Sequence, residues 1–286
     1  MITIDKAKCT KCGWCAEECR GSVIVCQEDR SPLVRYPEQC VNCGHCVAVC
    51  PAGAINSDVF PYEMFKDLPP LTVSAESMKN ILLSRRSVGV FKDSPVAREM
   101  IEQLILGATH AGSASNGQTE GFVVVQDKQV LLDLEDLVLE VMWDNLRILG
   151  NVAGRQLAKV RYGPEMSGQI GRYYSSFKKR KENNQLRGSI FRNAPVVVVV
   201  HGLKKNALAA TNCAIAARNM EIMSLPMGLG TCWAGFLIAA AQRDKKIAEF
   251  LQLPKGHNVF AAIMLGFPKR QYKKMIPRKE RTVRWT

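Results

Sequence analysis

The chain has 286 residues, 47% of them hydrophobic and 23% charged, with a formal net charge of +13. That length exceeds what one small core needs, so a small domain beside a larger one is the expected arrangement. No apolar run approaches the ~18 residues a membrane helix requires; stretches such as Trp233–Ala241 suit buried core elements. The opening Met1-Ile-Thr-Ile-Asp-Lys lacks the apolar stretch of a secretory signal, so a cytoplasmic location is expected.

Charge and cysteine are both distributed unevenly. Residues 1–60 hold six Lys/Arg and seven Asp/Glu, whereas residues 61–286 hold 33 and 19. Much of the surplus lies in Lys178-Lys179-Arg180-Lys181 and between Lys269 and Arg284. Such runs usually make solvated faces, and neither interleaved aromatics nor a helix-turn-helix pattern accompanies them, so nucleic acid is not an expected partner. Nine of the eleven cysteines fall within residues 9–50, leaving only Cys213 and Cys232 beyond. A tight cluster of this kind points to metal binding rather than to a disulfide scaffold.

An internal repeat opens the chain. Cys9-Thr-Lys-Cys12-Gly-Trp-Cys15-Ala-Glu-Glu-Cys19 recurs 31 residues later as Cys40-Val-Asn-Cys43-Gly-His-Cys46-Val-Ala-Val-Cys50, with Gly13 matching Gly44 and Ile24 matching Ile55. Each unit is too small to bury a core alone, so two pack around their metal centres. Three cysteines at C-x2-C steps wrap one [4Fe–4S] cubane, and the fourth reaches across to the other cluster. By that rule Cys9, Cys12, Cys15 and Cys50 hold one cluster, and Cys40, Cys43, Cys46 and Cys19 hold the second. Structural zinc, the competing reading, normally pairs two close ligands with two distant ones. The first 58 residues or so resemble the bacterial two-cluster ferredoxins, including the proline after the last cysteine, Cys50-Pro51. Arg20 stands in place of that proline after Cys19. Cys26 lies outside both repeats, and Trp14 and His45 sit between ligands as cover.

Residues 59–75 read as a linker, with Pro61, Pro69 and Pro70, between a domain of residues 1–58 and another of residues 76–286. Ser94-Pro95 reads as a helix start, followed by Val96, Met100, Leu104, Ile105 and Ala108 at helical spacing. Val130–Leu149 and the small-residue-rich Ala207–Leu225 read as further helices. Gly121–Gln126, Ala194–His201 and Val259–Gly266 read as buried strands. The expected class is α+β.

Four motifs in the second part carry chemistry. Ser84-Arg85-Arg86-Ser87-Val88-Gly89-Val90-Phe91 offers guanidinium groups and a hydroxyl for phosphate. Ser113-Ala-Ser115-Asn116-Gly117-Gln118 is a small, amide-bearing loop ahead of a strand. Met227-Gly228-Leu-Gly230-Thr-Cys232-Trp233-Ala234-Gly235 brings backbone N–H groups close to a flat ligand, and Gly266-Phe267-Pro268 and Pro277-Arg278-Lys279 close the chain. Each alone fits an ordinary loop or surface; their order and spacing together resemble the nitroreductase family across about residues 78–286.

That resemblance implies a homodimer with FMN at each of two interface sites. Arg85, Arg86 and Ser87 would sit by the phosphate and ribitol, with Arg278 and Lys279 closing on the phosphate. Ser113, Ser115 and Asn116 would approach the flavin from the partner subunit, and the backbone of Cys232, Trp233, Ala234 and Gly235 would lie against the ring. Two positions depart from the family. Gly89 stands where a basic residue is common, near the pyrimidine side of the flavin, and Thr119-Glu120 stand where Pro-Trp is common. A cation at the first position stabilises anionic reduced flavin. Residues 140–190, with Tyr162, Tyr173, Tyr174 and Phe177, would cover the substrate.

The expected function is an oxidoreductase passing electrons between the clusters and FMN, with chemistry supplied by the flavin rather than by a side chain. A nitro compound, quinone or similar small molecule is the acceptor, and ferredoxin or NAD(P)H the donor. No G-x-G-x-x-G follows a strand, so nicotinamide would have to bind over the flavin itself. Two alternatives stand beside this reading. One is a non-catalytic electron carrier or redox sensor; the other is specialised flavin chemistry such as reductive dehalogenation.

Overall fold

The computed structural model describes every residue except Gly150, and no side chain at Leu149 or Tyr162. The chain forms two compact units. Unit 1 comprises Met1–Val73 together with Ser113–Gln118; unit 2 comprises Ser74–Gly112 and Thr119–Thr286.

Unit 1 is built from pieces too short to stand alone. Strand β1 (Ile2–Ile4) pairs antiparallel with β4 (Ile55–Ser57), and β2 (Ile24–Cys26) with β3 (Pro32–Val34). Helices α1 (Trp14–Glu17) and α2 (His45–Ala48) are single turns. Each is entered through the glycine that the repeat places in register: Gly13 with φ 86° and Gly44 with φ 73°. Both lie in the left-handed region that side-chain-bearing residues avoid. Each turn then buries the third cysteine of its repeat, Cys15 or Cys46. These two cysteines join Ile2, Ile24, Val47 and Ile55 in the small core. Within the stretch read as a linker, Tyr62–Met64 makes a 3-10 turn, and Phe65 packs against the small core.

Unit 2 is organised by a four-stranded antiparallel sheet in the order β5-β6-β8-β7: β5 (Gly121–Val125), β6 (Val196–Leu203), β8 (His257–Gly266) and β7 (Gly230–Trp233). Side chains alternate across a strand, so a strand covered on both faces reads as an unbroken apolar run. Val196–Val200 does so. Val197 and Val199 enter one core, while Val196, Val198 and Val200 enter the other. On the first face lie α5 (Lys128–Leu149), α6 (Val152–Glu182), α8 (Gly235–Ala241) and α9 (Lys246–Phe250), contributing among others Leu134, Val138, Phe177, Leu237 and Ile247. On the second face lie α4 (Arg98–Thr109) and α7 (Ala209–Ser224), with Leu104, Ala108, Ala217 and Met220. The remaining helix is α3 (Ala75–Ser84), capped by Ser74, whose hydroxyl accepts the Ser77 N–H at 3.1 Å.

The α+β class and the three strands agree with the sequence reading, but the start of one helix does not. Helix α4 starts at Arg98 with Ala97 as its N-cap, not at Ser94. Val96 is buried in the second core and its carbonyl accepts the Gln126 amide at 3.0 Å, which holds the backbone out of the helix. The Gly230–Trp233 stretch is a strand, because its backbone completes the edge of β8. Helix α6 is broken at Gly163 (φ 84°), ahead of Pro164. Proline lacks the N–H the helix needs and disfavours helical geometry in the preceding residue.

Candidate functional site

In unit 1 the structure gathers the cysteines into two sets. Cys9, Cys12, Cys15 and Cys50 line one small cavity together with Gly13, Pro32 and Ile55. Burial pushes the Cys15 thiol up to about 11, and the charges of Cys50 and Cys12 add to that rise. Burial likewise pushes Cys46 up to about 11, with Cys43, Cys19 and Cys40 adding to it. Among the described residues, no three His, Cys, Asp or Glu groups converge on a single metal ion. A cubane cluster is larger than an ion and is held by thiolates around its periphery.

Each cysteine loop is tied down by a residue from outside it. Arg30 Nη2 donates to the Cys12 carbonyl at 2.8 Å. Asn116 Nδ2 donates to the Asn42 carbonyl at 2.9 Å, between Cys40 and Cys43, and reaches the Val41 carbonyl at 3.4 Å. Ser113, Ser115 and Asn116 therefore stand in unit 1, with the second cysteine loop. The turn is tight: Ser115 and Asn116 have φ of 50° and 53°, and the Ser113 hydroxyl accepts the Gln118 N–H at 3.0 Å. Cys50 Sγ accepts the Ala54 N–H at 3.3 Å. Hydrogen bonds to cluster sulfurs are one of the protein's means of tuning a cluster potential.

In unit 2 two of the cavities share β7 as a wall. One, of about 270 Å³, is lined by Ser84, Arg85, Arg86, Gly230 and Thr231, joined by Arg270 and Tyr272. Ser87 forms a parallel bridge with Thr231, and its carbonyl accepts the Tyr272 hydroxyl at 3.3 Å. Arg85 Nη1 lies 3.2 Å from Glu221 Oε1, while Arg218 holds the other carboxylate oxygen at 3.2 Å. Glu221 is thus a buried anion that fixes Arg85 at the wall. Arg86 Nη1 donates to the Leu83 and Arg85 carbonyls, leaving its buried Nε without an acceptor. A buried donor left unmade is costly, so this wall is suited to an anionic oxygen.

The second cavity, of about 650 Å³, is lined by Trp233, Gly235 and Phe236 from β7 and α8, by Met142 and Tyr173 from α5 and α6, and by Arg192. Tyr173 and Phe177 both make edge contacts with Phe236, at 5.3 Å between ring centroids. Tyr174 turns from Phe236 to stack against Trp143. The side chain of Tyr162 lies outside the described residues. Ala234 is buried, its N–H bonded to the Ala262 carbonyl at 2.9 Å. Cys232 is half-buried; burial raises its thiol pKa, against the pull of Arg192 and Arg85. No histidine is among the groups acting on it, so nothing marks it as an activated nucleophile.

The structure therefore brings Arg85, Arg86, Ser87, Trp233 and Gly235 around one strand. Arg278 and Lys279 are exposed, in a stretch without helix or strand, outside these two cavities. Arg192, Arg270 and Tyr272 are wall residues that no motif singled out. Arg270 lies just beyond Gly266-Phe267-Pro268, which is the one local signal that points to it.

Comparison with known proteins agrees with this division. The profile described as "Nitroreductase family" matches residues 82–267, and a "4Fe-4S dicluster domain" matches residues 8–55. A putative NADH dehydrogenase/NAD(P)H nitroreductase of Archaeoglobus fulgidus is 24% identical over 199 residues, covering 68% of this chain and 87% of that protein. An uncharacterised ferredoxin of Methanocaldococcus jannaschii is 36% identical over 56 residues, covering 19% of this chain and 89% of that protein. A nitroreductase with bound FMN from Bacteroides fragilis superposes with a TM-score of 0.53 at 18% identity, over 73% of this chain and 98% of the other.

Proposed function

Because the chain belongs to the nitroreductase family and carries an N-terminal 4Fe-4S dicluster domain, we propose that it is an FMN-dependent oxidoreductase that passes electrons between two [4Fe–4S] clusters and FMN to reduce a nitro compound, quinone or similar small acceptor. The carrying observation is the pair of cavities that β7 helps to line: an arginine-lined one with an unsatisfied buried donor, and a larger aromatic one. This donor set fits FMN. Arg86 Nε, with Arg85 and Ser87, suits the phosphate end, and the backbone of Cys232–Gly235 suits the ring edge. Arg278 and Lys279 would close on the phosphate from the exposed C-terminal stretch. Bound FMN would store two electrons and release them as a hydride or singly.

The chain's own residues would bind, orient and exclude water. Glu221 holds Arg85 in place before any ligand arrives, so less ordering is left to do on binding. Tyr173, Phe236 and Met142 offer a flat substrate an apolar surface from which water is displaced. In unit 1, Cys9, Cys12, Cys15 and Cys50 would hold one cluster and Cys40, Cys43, Cys46 and Cys19 the other. The proposed assembly is a homodimer working in the cytoplasm, with ferredoxin or NAD(P)H as donor.

The test is to purify the protein without oxygen and add NADH, NADPH or reduced ferredoxin in separate samples, following flavin absorbance and cluster EPR signals. Flavin bleaching by nicotinamide before the clusters respond makes FMN the entry point. Reduction by ferredoxin alone makes the clusters the entrance. A protein that holds neither flavin nor cluster after reconstitution overturns the proposal.

A further inference from the structure

Gly89 stands where family resemblance places a basic side chain, yet the space beside it is filled. A Cβ built on Gly89 would lie 3.2 Å from Arg192 Nη1 and 3.9 Å from its Cζ. That is tighter than an ordinary van der Waals contact, so the guanidinium of Arg192 lies directly beside the backbone of Gly89 and would have to shift slightly for a side chain there. Arg192 comes from a distant part of the sequence, in the turn that leads into β6.

The turn holding Arg192 is firmly built. Arg192 and Asn193 have φ of 55° and 54°, both left-handed without being glycine. Such geometry persists only where the surroundings over-determine it. Here the buried Glu135 accepts the Gly188 and Ile190 N–H groups at 2.7 Å each and the Phe191 N–H at 3.3 Å. The guanidinium itself is left exposed, with no carboxylate within ion-pair distance among the described residues. It lines the larger cavity together with Trp233 and Gly235, and its charge reaches Cys232.

We propose that Arg192 supplies, from a different element of the fold, the cation at the flavin that position 89 lacks. This rests on the FMN reading above. Two electrons and one proton, delivered by a nicotinamide hydride or a reduced iron–sulfur protein, would leave one negative charge on the pyrimidine side of bound FMN. The Arg192 guanidinium would pair with that charge and so favour the reduced, ionised flavin. The glycine at 89 leaves the guanidinium of Arg192 unobstructed at this position.

The experiment is an anaerobic redox and pH titration of the flavin in the whole protein. It compares the parent with Arg192→Gln, Arg192→Lys and the double variant Gly89→Lys/Arg192→Gln. Arg192→Gln is expected to lower the flavin potential and to raise the ionisation of the reduced flavin by about one pKa unit, a tenfold loss of the anion. Arg192→Lys and the double variant are expected to return both towards parent values, with cluster EPR signals unchanged throughout. Parent-like potential and ionisation in a flavin-loaded Arg192→Gln protein overturn the proposal. If Arg192→Gln loses its flavin, recovery of flavin and potential in the double variant supports it, and failure of that recovery overturns it. A parent protein that binds no flavin fails the functional reading instead, so the two failures are distinguishable.

Discussion

Strand length separates the two units. Unit 1 has four strands of three residues each and two helices of a single turn, whereas β6 and β8 of unit 2 run to eight and ten residues. Unit 2 buries apolar side chains on both faces of its sheet, so packing alone can hold it together. The packed core of unit 1 joins six buried residues, two of them cysteines of the repeat. A core of that size is normally supplemented by metal or disulfide. The difference teaches that the same chain uses two sources of stability: cofactor ligation in one unit and hydrophobic burial in the other.

Iron removal is the most severe way to break that contrast. Anaerobic chelation is expected to unfold unit 1, exposing Lys and Arg sites in residues 1–73 to limited proteolysis while β6 and β8 stay protected. Survival of both units would erase the distinction. Leu237→Ala attacks the other side. Leu237 is fully buried in the first core, and its truncation is expected to cost about 2–5 kcal/mol. Denaturant unfolding followed by far-UV CD reads that loss, while cluster absorbance is retained until unit 1 itself opens.

Glu221→Gln should act more mildly, and also within unit 2. It removes the charge that pairs with Arg85 and Arg218 but keeps the shape, at an expected cost of about 1.5–3 kcal/mol. Flavin affinity should fall with it, because Arg85 is no longer held at its wall; isothermal titration with FMN measures this.

The smallest effect concerns the buried histidine of β6. His201 Nδ1 lies 2.9 Å from His257 Nδ1, an arrangement in which one ring donates and the other accepts. Burial lowers the His201 pKa, and the charge of His257 lowers it further. The unfolded chain therefore binds this proton more readily than the folded one. Stability from this site is full above the ordinary value of 6.5 and declines as pH falls from there through the folded pKa. The slope is at most about 1.4 kcal/mol per pH unit for one proton. Parent-like pH dependence in His201→Gln would remove the pair from this account.

Much of this was legible along the chain because the information was local. The dicluster domain follows from the spacing of the repeated cysteines, since the loop that wraps a cubane is set by adjacent residues. Val196–Val200 reads as a strand because burial on both faces leaves an unbroken β-branched run. The start of α4 misled because Ser94-Pro95 is a good local helix signal, and a contact from Gln126 to Val96 outweighs it. Strand β7 has no β-branched run of its own; its pairing with β8 makes it a strand.

By itself, then, the sequence determined the pairing of a dicluster repeat with a larger flavin-type domain and the class of the larger fold, because spacing and side-chain period act between near neighbours. Tertiary structure alone decided that Asn116 holds the loop between Cys40 and Cys43, that Glu221 fixes Arg85, and that Arg192 fills the space beside Gly89. Those relations join residues far apart in the chain, and no spacing rule connects them. They exist only once the sheet and its turns have brought the groups within reach of a hydrogen bond or a charge.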